Sequence, residues 1–238
     1  MEKPSLPAIA VIAGGLATRL RPITTTIPKS MAEVAGEPFV AHQLRLLASK
    51  GIRDVVMLLG YLGEQIEDFV GDGADYGLNV SYSYDGETLV GTGGAVLQAL
   101  DKLGDPFLVT YGDSYLDVDY GAVVAAFREN DKPALLTVFR NDENYDTSNV
   151  IFDAPDVIKY SKTALSPDML FIDYGLLVLT RWIFKGRRAN EAFDLAEIIE
   201  DLATGGNLCG HEVFQRYYEI GSHEGLDMTE QYLRTRNS

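Results

Sequence analysis

The sequence predicts an α/β protein: a mostly parallel mixed sheet with helices on both faces, and a lobe from the second half beside it. Two observations carry this. Short β-rich runs alternate with helix-like stretches through residues 8–113, the rhythm of βαβ units. Several runs are apolar without interruption, as strands covered on both faces are.

The elements follow in order. "AIAVIA" (8–13) reads as a buried strand. "PFVAHQLRLLASKG" (38–51) reads as a helix, with Pro38 near its first turn and Gly51 as its stop. "DVVMLLG" (54–60) is the next strand, and "LGEQIEDFVGDG" (62–73) is a helix ended by glycine. "LNVSYSY" (78–84) alternates like a strand; "GGAVLQALDKLG" (93–104) is a helix opened by glycines. "PFLVTYGD" (106–113) is a buried strand that stops at Asp113. The second half is less regular. "ALLTVFR", "NVIFD" and "LFIDYGLLVLT" read as strands, and "EAFDLAEIIEDLATGG" as an amphipathic helix. "YYEIGSHEGLDMTEQYL" reads as a strand, a turn and a closing helix, and "SKTALSPD" (161–168) as a mobile surface loop. No internal repeat or linker interrupts the chain, so 1–238 is expected to form one domain.

Composition narrows the function classes. With 35 Asp+Glu against 20 Lys+Arg, the net charge of -15 argues against nucleic acid or an anionic membrane as partner. The lone cysteine, Cys209, precludes an intramolecular disulfide and fits a reducing cytosol. His42, His211 and His223 lack zinc-ligand spacing. No basic n-region leads the short apolar run before Gly14, so no signal peptide is expected. No segment is long and apolar enough to span a bilayer. The expected location is the cytoplasm.

Against this acidic background, no carboxylate occurs between Glu2 and Glu33, while Arg19, Arg21 and Lys29 fall in that window. The window opens as "VIAGGLATRL", a strand running into Gly14 and Gly15. Such a strand end places bare backbone N–H groups at the carboxyl edge of a sheet, where open α/β sheets bind ligands. Glycine lets the backbone approach a phosphate closely. Arg19 can then act as a planar fork and Lys29 as a mobile point charge. A glycine turn followed by solvated bases is the alternative. No Gly-Lys-Ser/Thr closes the loop, so it is not a P-loop, and G-x-G-x-x-G is absent.

"AGGLATRLRPITTTIPKSM" resembles the N-terminal motif of the sugar-1-phosphate nucleotidyltransferases, L-A-G-G-x-G-T-R-L-x-P-L-T…P-K-P. "GIRDVVMLLGYLGEQIEDFVGDG", "GTGGAVLQAL", "LVTYGDSYLDVD" and "YYEIGSHEGL" follow in the family's order, so the resemblance spans nearly the whole chain. It implies a Rossmann-like fold, with about 1–118 as the nucleotide-binding half and about 119–238 as a sugar-binding lobe and closing helix. The implied reaction joins a nucleoside triphosphate to a sugar 1-phosphate with Mg²⁺, giving an NDP-sugar and pyrophosphate. In-line attack between two polyanions needs positioning and charge neutralisation more than acid–base chemistry, so the lack of a catalytic triad is no obstacle.

The resemblance assigns roles residue by residue. Ala13, Gly14, Gly15, Thr18 and Arg19 would hold the triphosphate, and Lys29 would neutralise the α-phosphate region. Ala17 stands where the family usually has glycine, and Ser30 replaces the second proline of P-K-P. Asp113, an Asx-turn residue on a bland reading, becomes the first Mg²⁺ ligand. Glu219, where the family has aspartate, becomes the second. Thr92 and Gly93 of "GTGGA" would contact base and ribose. Many uridylyl- and thymidylyltransferases carry a glutamine shortly before this loop; "YDGETLV" has Glu87 instead, whose carboxylate can accept the N1–H and N2–H of guanine. Lys162 would bind the sugar phosphate, with Lys159 as a rival, and Asn149, Asp173 and Gly175 would face the sugar. The expected substrates are GTP with heptose 1-phosphate or a mannose-like sugar 1-phosphate. Alternatives are a uridylyl- or other pyrimidine nucleotidyltransferase, the chain being similar also to short enzymes acting on N-acetylmuramic acid 1-phosphate, or a non-catalytic sugar-nucleotide sensor. The oligomeric state is open, a homo-oligomer included.

Overall fold

A computed structural model describes residues 5–86, 88–141, 145–188 and 191–236. The main elements in chain order are β1 (Ile9–Ile12), α1 (Phe39–Ser49), β2 (Asp54–Leu59), α2 (Gly63–Val70), β3 (Asn79–Tyr84) and α3 (Gly91–Gln98). Then come β4 (Phe107–Tyr111), α4 (Tyr120–Arg128), β5 (Ala134–Arg140), β6 (Val150–Asp153) and β7 (Asp156–Tyr160). The chain closes with β8 (Phe171–Leu179), α5 (Leu195–Thr204), β9 (Leu208–Val213) and α6 (His223–Arg236). These strands form one sheet in the order β3-β2-β1-β4-β8-β5-β9-β7-β6.

The first four strands in that order are parallel, as the βαβ rhythm requires. Beyond β4 the sheet is mixed. β8 runs antiparallel to both β4 and β5, while β9 pairs parallel with β5, and the β7 and β6 edge is again antiparallel. Sheet and helices share two apolar layers. Ile9 and Val11 of β1 point to one face, against Val40 and Leu44 of α1 and Val123 and Val124 of α4. Ala10 points to the other, with Val96 of α3 and Ile198 and Ile199 of α5. The alternation of Cβ along a strand makes "IAVI" serve both layers, which is why it carries no polar residue. Cys209 lies buried on β9, where burial pushes its thiol up to about 11.

One helix and two strands, α4, β7 and β9, lie outside the runs read from sequence, and α3 begins two residues earlier than its glycine opening suggests. α4 is opened by Asp119, whose carboxylate accepts the Ala122 amide at 3.0 Å. α6 closes the molecule, Leu233 packing with Tyr115 and Ile220. Its last turn brings Arg236 onto Asp117, which Lys50 also reaches. Burial pushes the Asp117 carboxyl up, but these two bases outweigh it and hold it below the ordinary carboxylate range.

Among the described residues, no helix is long and apolar enough to cross a membrane.

Candidate active site

The carboxyl ends of β1, β2 and β4 open on one edge, where the loops Ala13–Gly15, Gly60–Leu62 and Gly112–Asp113 meet. The Ala13 amide donates to the Leu58 carbonyl at 2.8 Å, and the Gly112 amide to the Ile12 carbonyl at 2.8 Å. Close approach explains the glycines. A Cβ on Gly14 would stand 3.1 Å from the Gly60 nitrogen, and one on Gly112 only 2.8 Å from the Ala13 methyl. A Cβ on Gly15 would meet nothing within 4 Å, so this stretch of backbone faces open space.

Ala17 has φ +46°, the left-handed conformation that favours glycine. The substitution at this position therefore keeps the backbone shape. Thr24 holds it, its hydroxyl donating to the Ala17 carbonyl at 2.7 Å. A short 3-10 turn, Thr18–Leu20, follows; Leu20 is buried beneath it while Thr18 and Arg19 are exposed. Lys29 opens a second such turn, Lys29–Met31, in which Ser30 is buried and the Ala32 amide donates to the Lys29 carbonyl at 2.9 Å. Its Nζ lies 2.6 Å from Oδ2 of Asp113. The phosphate lysine and the metal aspartate expected from sequence thus neutralise one another.

Asp113 and Glu219 come together through a two-stranded ribbon, Ser114–Tyr115 against Tyr218–Glu219. The Ile220 amide donates to the Asp113 carbonyl at 2.9 Å. Glu219 accepts the Gly221 amide and, at 3.2 Å, the Ser222 hydroxyl. Two carboxylates at one edge fit magnesium, which takes one or two carboxylates and completes its shell with waters and phosphates. Among the described residues there is no group of three or more His, Cys, Asp or Glu that could hold a metal without such help.

A cavity of about 390 Å³ collects Arg19, Asp113 and Glu219 on one side and Asn149, Lys162 and Asp173 on the other. Arg19 and Lys162, 143 positions apart in sequence, line one cavity because the sheet brings their loops together. The Asn149 Oδ1 accepts the Asp173 amide at 2.9 Å, so what it can offer a hydroxyl is its Nδ2 donor. Asp173 accepts the Gly175 amide at 2.9 Å and the Tyr160 hydroxyl at 3.3 Å. Burial pushes its carboxyl up, opposed by the Gly175 amide, Lys162 and Tyr160. Gly175 has φ +93° and lets the chain turn beside the Tyr111 ring. Lys162 lines this cavity; Lys159 sits on β7 and does not.

The "GTGGA" stretch is the first turn of α3, and its glycines answer to another segment. A Cβ on Gly91 would lie 2.5 Å from the Phe193 carbonyl, and one on Gly93 would overlap the Phe193 ring. The Gly93 amide donates to the Phe193 carbonyl at 3.0 Å. The Thr92 hydroxyl donates to Asp194 at 3.0 Å and accepts the Leu195 amide at 2.8 Å, which binds it to the start of α5. Thr92 still borders the cleft with Lys29 and Asp113. Gly93→Ala is expected to destabilise the fold by about 1–3 kcal/mol through overpacking. Urea titration would check it, and the loss should shrink in a Phe193→Ala background.

Glu87 lies outside the described residues. Asp85, two positions earlier, was missed from sequence: it directly follows β3, and a Cβ on Gly14 would be 3.4 Å from its Oδ2. It borders a mostly apolar slot of about 90 Å³ with Ile12, Gly15, Leu89 and Gly91. Burial pushes the Asp85 carboxyl up, against the Val90 amide it accepts. The signal was an acid at the end of "LNVSYSY", beside the glycine loop in the parallel sheet. Asp194 was also missed. It caps α5 in a capping box with Glu197, binds Thr92 and lies 3.7 Å from the Lys162 ammonium.

A family model described as nucleotidyl transferase matches residues 9–149. The chain is 30% identical over 193 residues to a D-glycero-alpha-D-manno-heptose 1-phosphate guanylyltransferase from Campylobacter jejuni, covering 80% of this chain and 84% of that protein. It is 42% identical over 113 residues to an N-acetylmuramate alpha-1-phosphate uridylyltransferase from Neisseria meningitidis. That match covers 47% of this chain and about half of the relative, 49%. Among solved structures, HddC from Yersinia pseudotuberculosis complexed with GMP-PN shares the fold with a TM-score of 0.80 at 21% identity, over 96% of this chain and 100% of that one.

Proposed function

From the chain's membership of the nucleotidyl transferase family, we propose that it transfers a nucleoside monophosphate from an NTP to a sugar 1-phosphate. The observation that carries this is the single cavity in which Arg19, Asp113 and Glu219 face Asn149, Lys162 and Asp173, beside the glycine edge. A sugar 1-phosphate held by Lys162 and Arg19 presents a phosphate oxygen to the α-phosphorus. That P–O bond forms as the bond to the β-phosphate bridging oxygen breaks, and pyrophosphate leaves with the electron pair. Backbone amides at Gly14 and Gly15 and the charges of Arg19 and Lys29 receive the triphosphate, so rate comes from alignment and charge compensation. Asp113 and Glu219 are the residues that would hold magnesium, which when bound supplies charge compensation for the phosphate oxygens.

GTP is the proposed donor, and Asp85 supports it. A carboxylate at the rim of an apolar slot can accept the paired N1–H and N2–H of guanine. Uracil and thymine offer one N–H between two carbonyl oxygens, which a carboxylate repels. Relatives named for heptose and mannose 1-phosphates support a heptose- or hexose-sized acceptor. The test is pyrophosphate release across five nucleoside triphosphates and several sugar 1-phosphates. GTP is expected to exceed UTP and dTTP by about tenfold or more in kcat/KM, the worth of one good hydrogen-bond pair, and Asp85→Asn should narrow that ratio. A preference for UTP would overturn the base assignment in favour of the uridylyl reading. No release with any pair would favour a binding protein without turnover.

A further inference from the structure

Resting on the acceptor pocket assigned above, we propose that the acceptor sugar carries a second anionic group, remote from its C1 phosphate, and that Arg216 receives it. The group is a carboxylate or a phosphate ester; both present oxygens that a guanidinium fork can grip in pairs.

Arg216 follows β9 and leads into the ribbon that bears Glu219. Among the described residues it forms no ion pair with any carboxylate, in a chain where acids outnumber bases 35 to 20. Its Nε is buried without an acceptor. Nη2 lies 3.0 Å from the Met228 sulfur, a weak acceptor. Two rings hold the head in place: the guanidinium carbon lies 4.8 Å from the centre of Tyr145 and 5.0 Å from that of Tyr218. Tyr218 is itself stacked on Tyr232 of α6 at 3.9 Å, so this wall is braced from behind. A planar cation clamped between rings, with donors lacking strong acceptors, is prepared for an anion that the protein does not itself provide.

The position suits a distal substituent. Arg216 borders a cavity of about 320 Å³ that shares Tyr145, Tyr217, Glu219 and Ser222 with the acceptor pocket. A sugar anchored by its phosphate near Arg19 and Lys162 can therefore extend a substituent past Tyr217 into it. Two acids also border this space. Glu219 is turned onto the Gly221 amide and the Ser222 hydroxyl, and Glu224 is exposed at the start of α6; neither pairs with Arg216. They disfavour an anion placed at random there and leave the clamped guanidinium as the point of recognition.

The test uses the full-length protein and matched acceptors. Glucose 1-phosphate is compared with glucuronic acid 1-phosphate and with glucose 1,6-bisphosphate, and N-acetylglucosamine 1-phosphate with N-acetylmuramic acid 1-phosphate. At least one anionic member is expected to exceed its neutral partner about 30-fold or more in kcat/KM, and which one does so separates carboxylate from phosphate. Arg216→Gln should remove at least about tenfold of that advantage, through KM more than kcat, while Arg216→Lys keeps part of it. Neutral acceptors equal to or better than every anionic one in the wild type would overturn the proposal without any variant being made. So would an unchanged ratio in a folded Arg216→Gln protein. If no pair turns over, the parent assignment has failed; calorimetric binding of the same matched acceptors to the NTP-loaded protein then decides the Arg216 subsite separately.

Discussion

Asp113→Asn should lower kcat/KM by about 1,000-fold, ~4 kcal/mol of transition-state stabilisation. Two effects add in the same direction. The variant removes an anionic oxygen ligand from the pair formed with Glu219, and it deprives Lys29 of the partner now 2.6 Å away. The fold should persist, because the contact that joins the ribbon to this loop is the Asp113 carbonyl, which accepts the Ile220 amide and is retained. Glu219 provides the internal control. Glu219→Gln should raise the magnesium concentration for half activity, whereas Glu219→Asp keeps the charge and should retain substantial turnover. Magnesium titrations of the three proteins would settle this. A Glu219→Gln enzyme with the wild-type metal dependence would make Glu219 a turn residue, tied to Gly221 and Ser222 and nothing more.

Arg19→Ala should lower kcat/KM by at least about 100-fold, ~2.7 kcal/mol. Among the described residues Arg19 has no hydrogen bond or ion pair of its own, and it is exposed on a turn whose anchor is Leu20. Its removal should therefore leave stability within about 0.5 kcal/mol of the parent, the range for surface positions without special contacts. The informative comparison is Arg19→Lys. If the planar fork matters, a point charge on a flexible stem restores only part of the loss. Steady-state kinetics beside a thermal melt would check both halves, and an Arg19→Ala enzyme with near-normal turnover would remove the residue from the site.

How far the sequence could be read differs between the two halves, for physical reasons. The first 113 residues form parallel strands joined by local crossovers, so each run of apolar residues sits next to its partner in sequence and in space. That locality made β1 through β4 readable, together with the glycine edge. In the second half, β8 inserts between β4 and β5, pairing across long stretches of chain. β9 reads "LCGHEV", with glycine and two polar residues, and β7 is irregular at Val157–Lys159; neither has a clean period. α4 begins with Tyr-Gly and a run of valine and alanine that strand and helix tolerate alike. The candidates taken from motifs include Arg19, Lys29, Asp113, Asn149, Lys162, Asp173, Gly175 and Glu219, which gather at one edge and carry the roles proposed above. Asp85 and Asp194 could not be found that way, because each takes its place from a neighbour remote in sequence.

Gly91 and Gly94 leave no room for a side chain against the backbone of Phe193 and Glu191, nor Gly93 against the Phe193 ring, and the next residue, Asp194, stands between Thr92 and Lys162. On the site assignment proposed above, the donor side and the acceptor side therefore hang on one short peptide. A lineage altering its sugar through residues 191–194 disturbs the seat of the helix that flanks the base, and a lineage altering its base meets the same constraint from the other direction. On that assignment, mutational routes to new donor–acceptor combinations run through paired changes here.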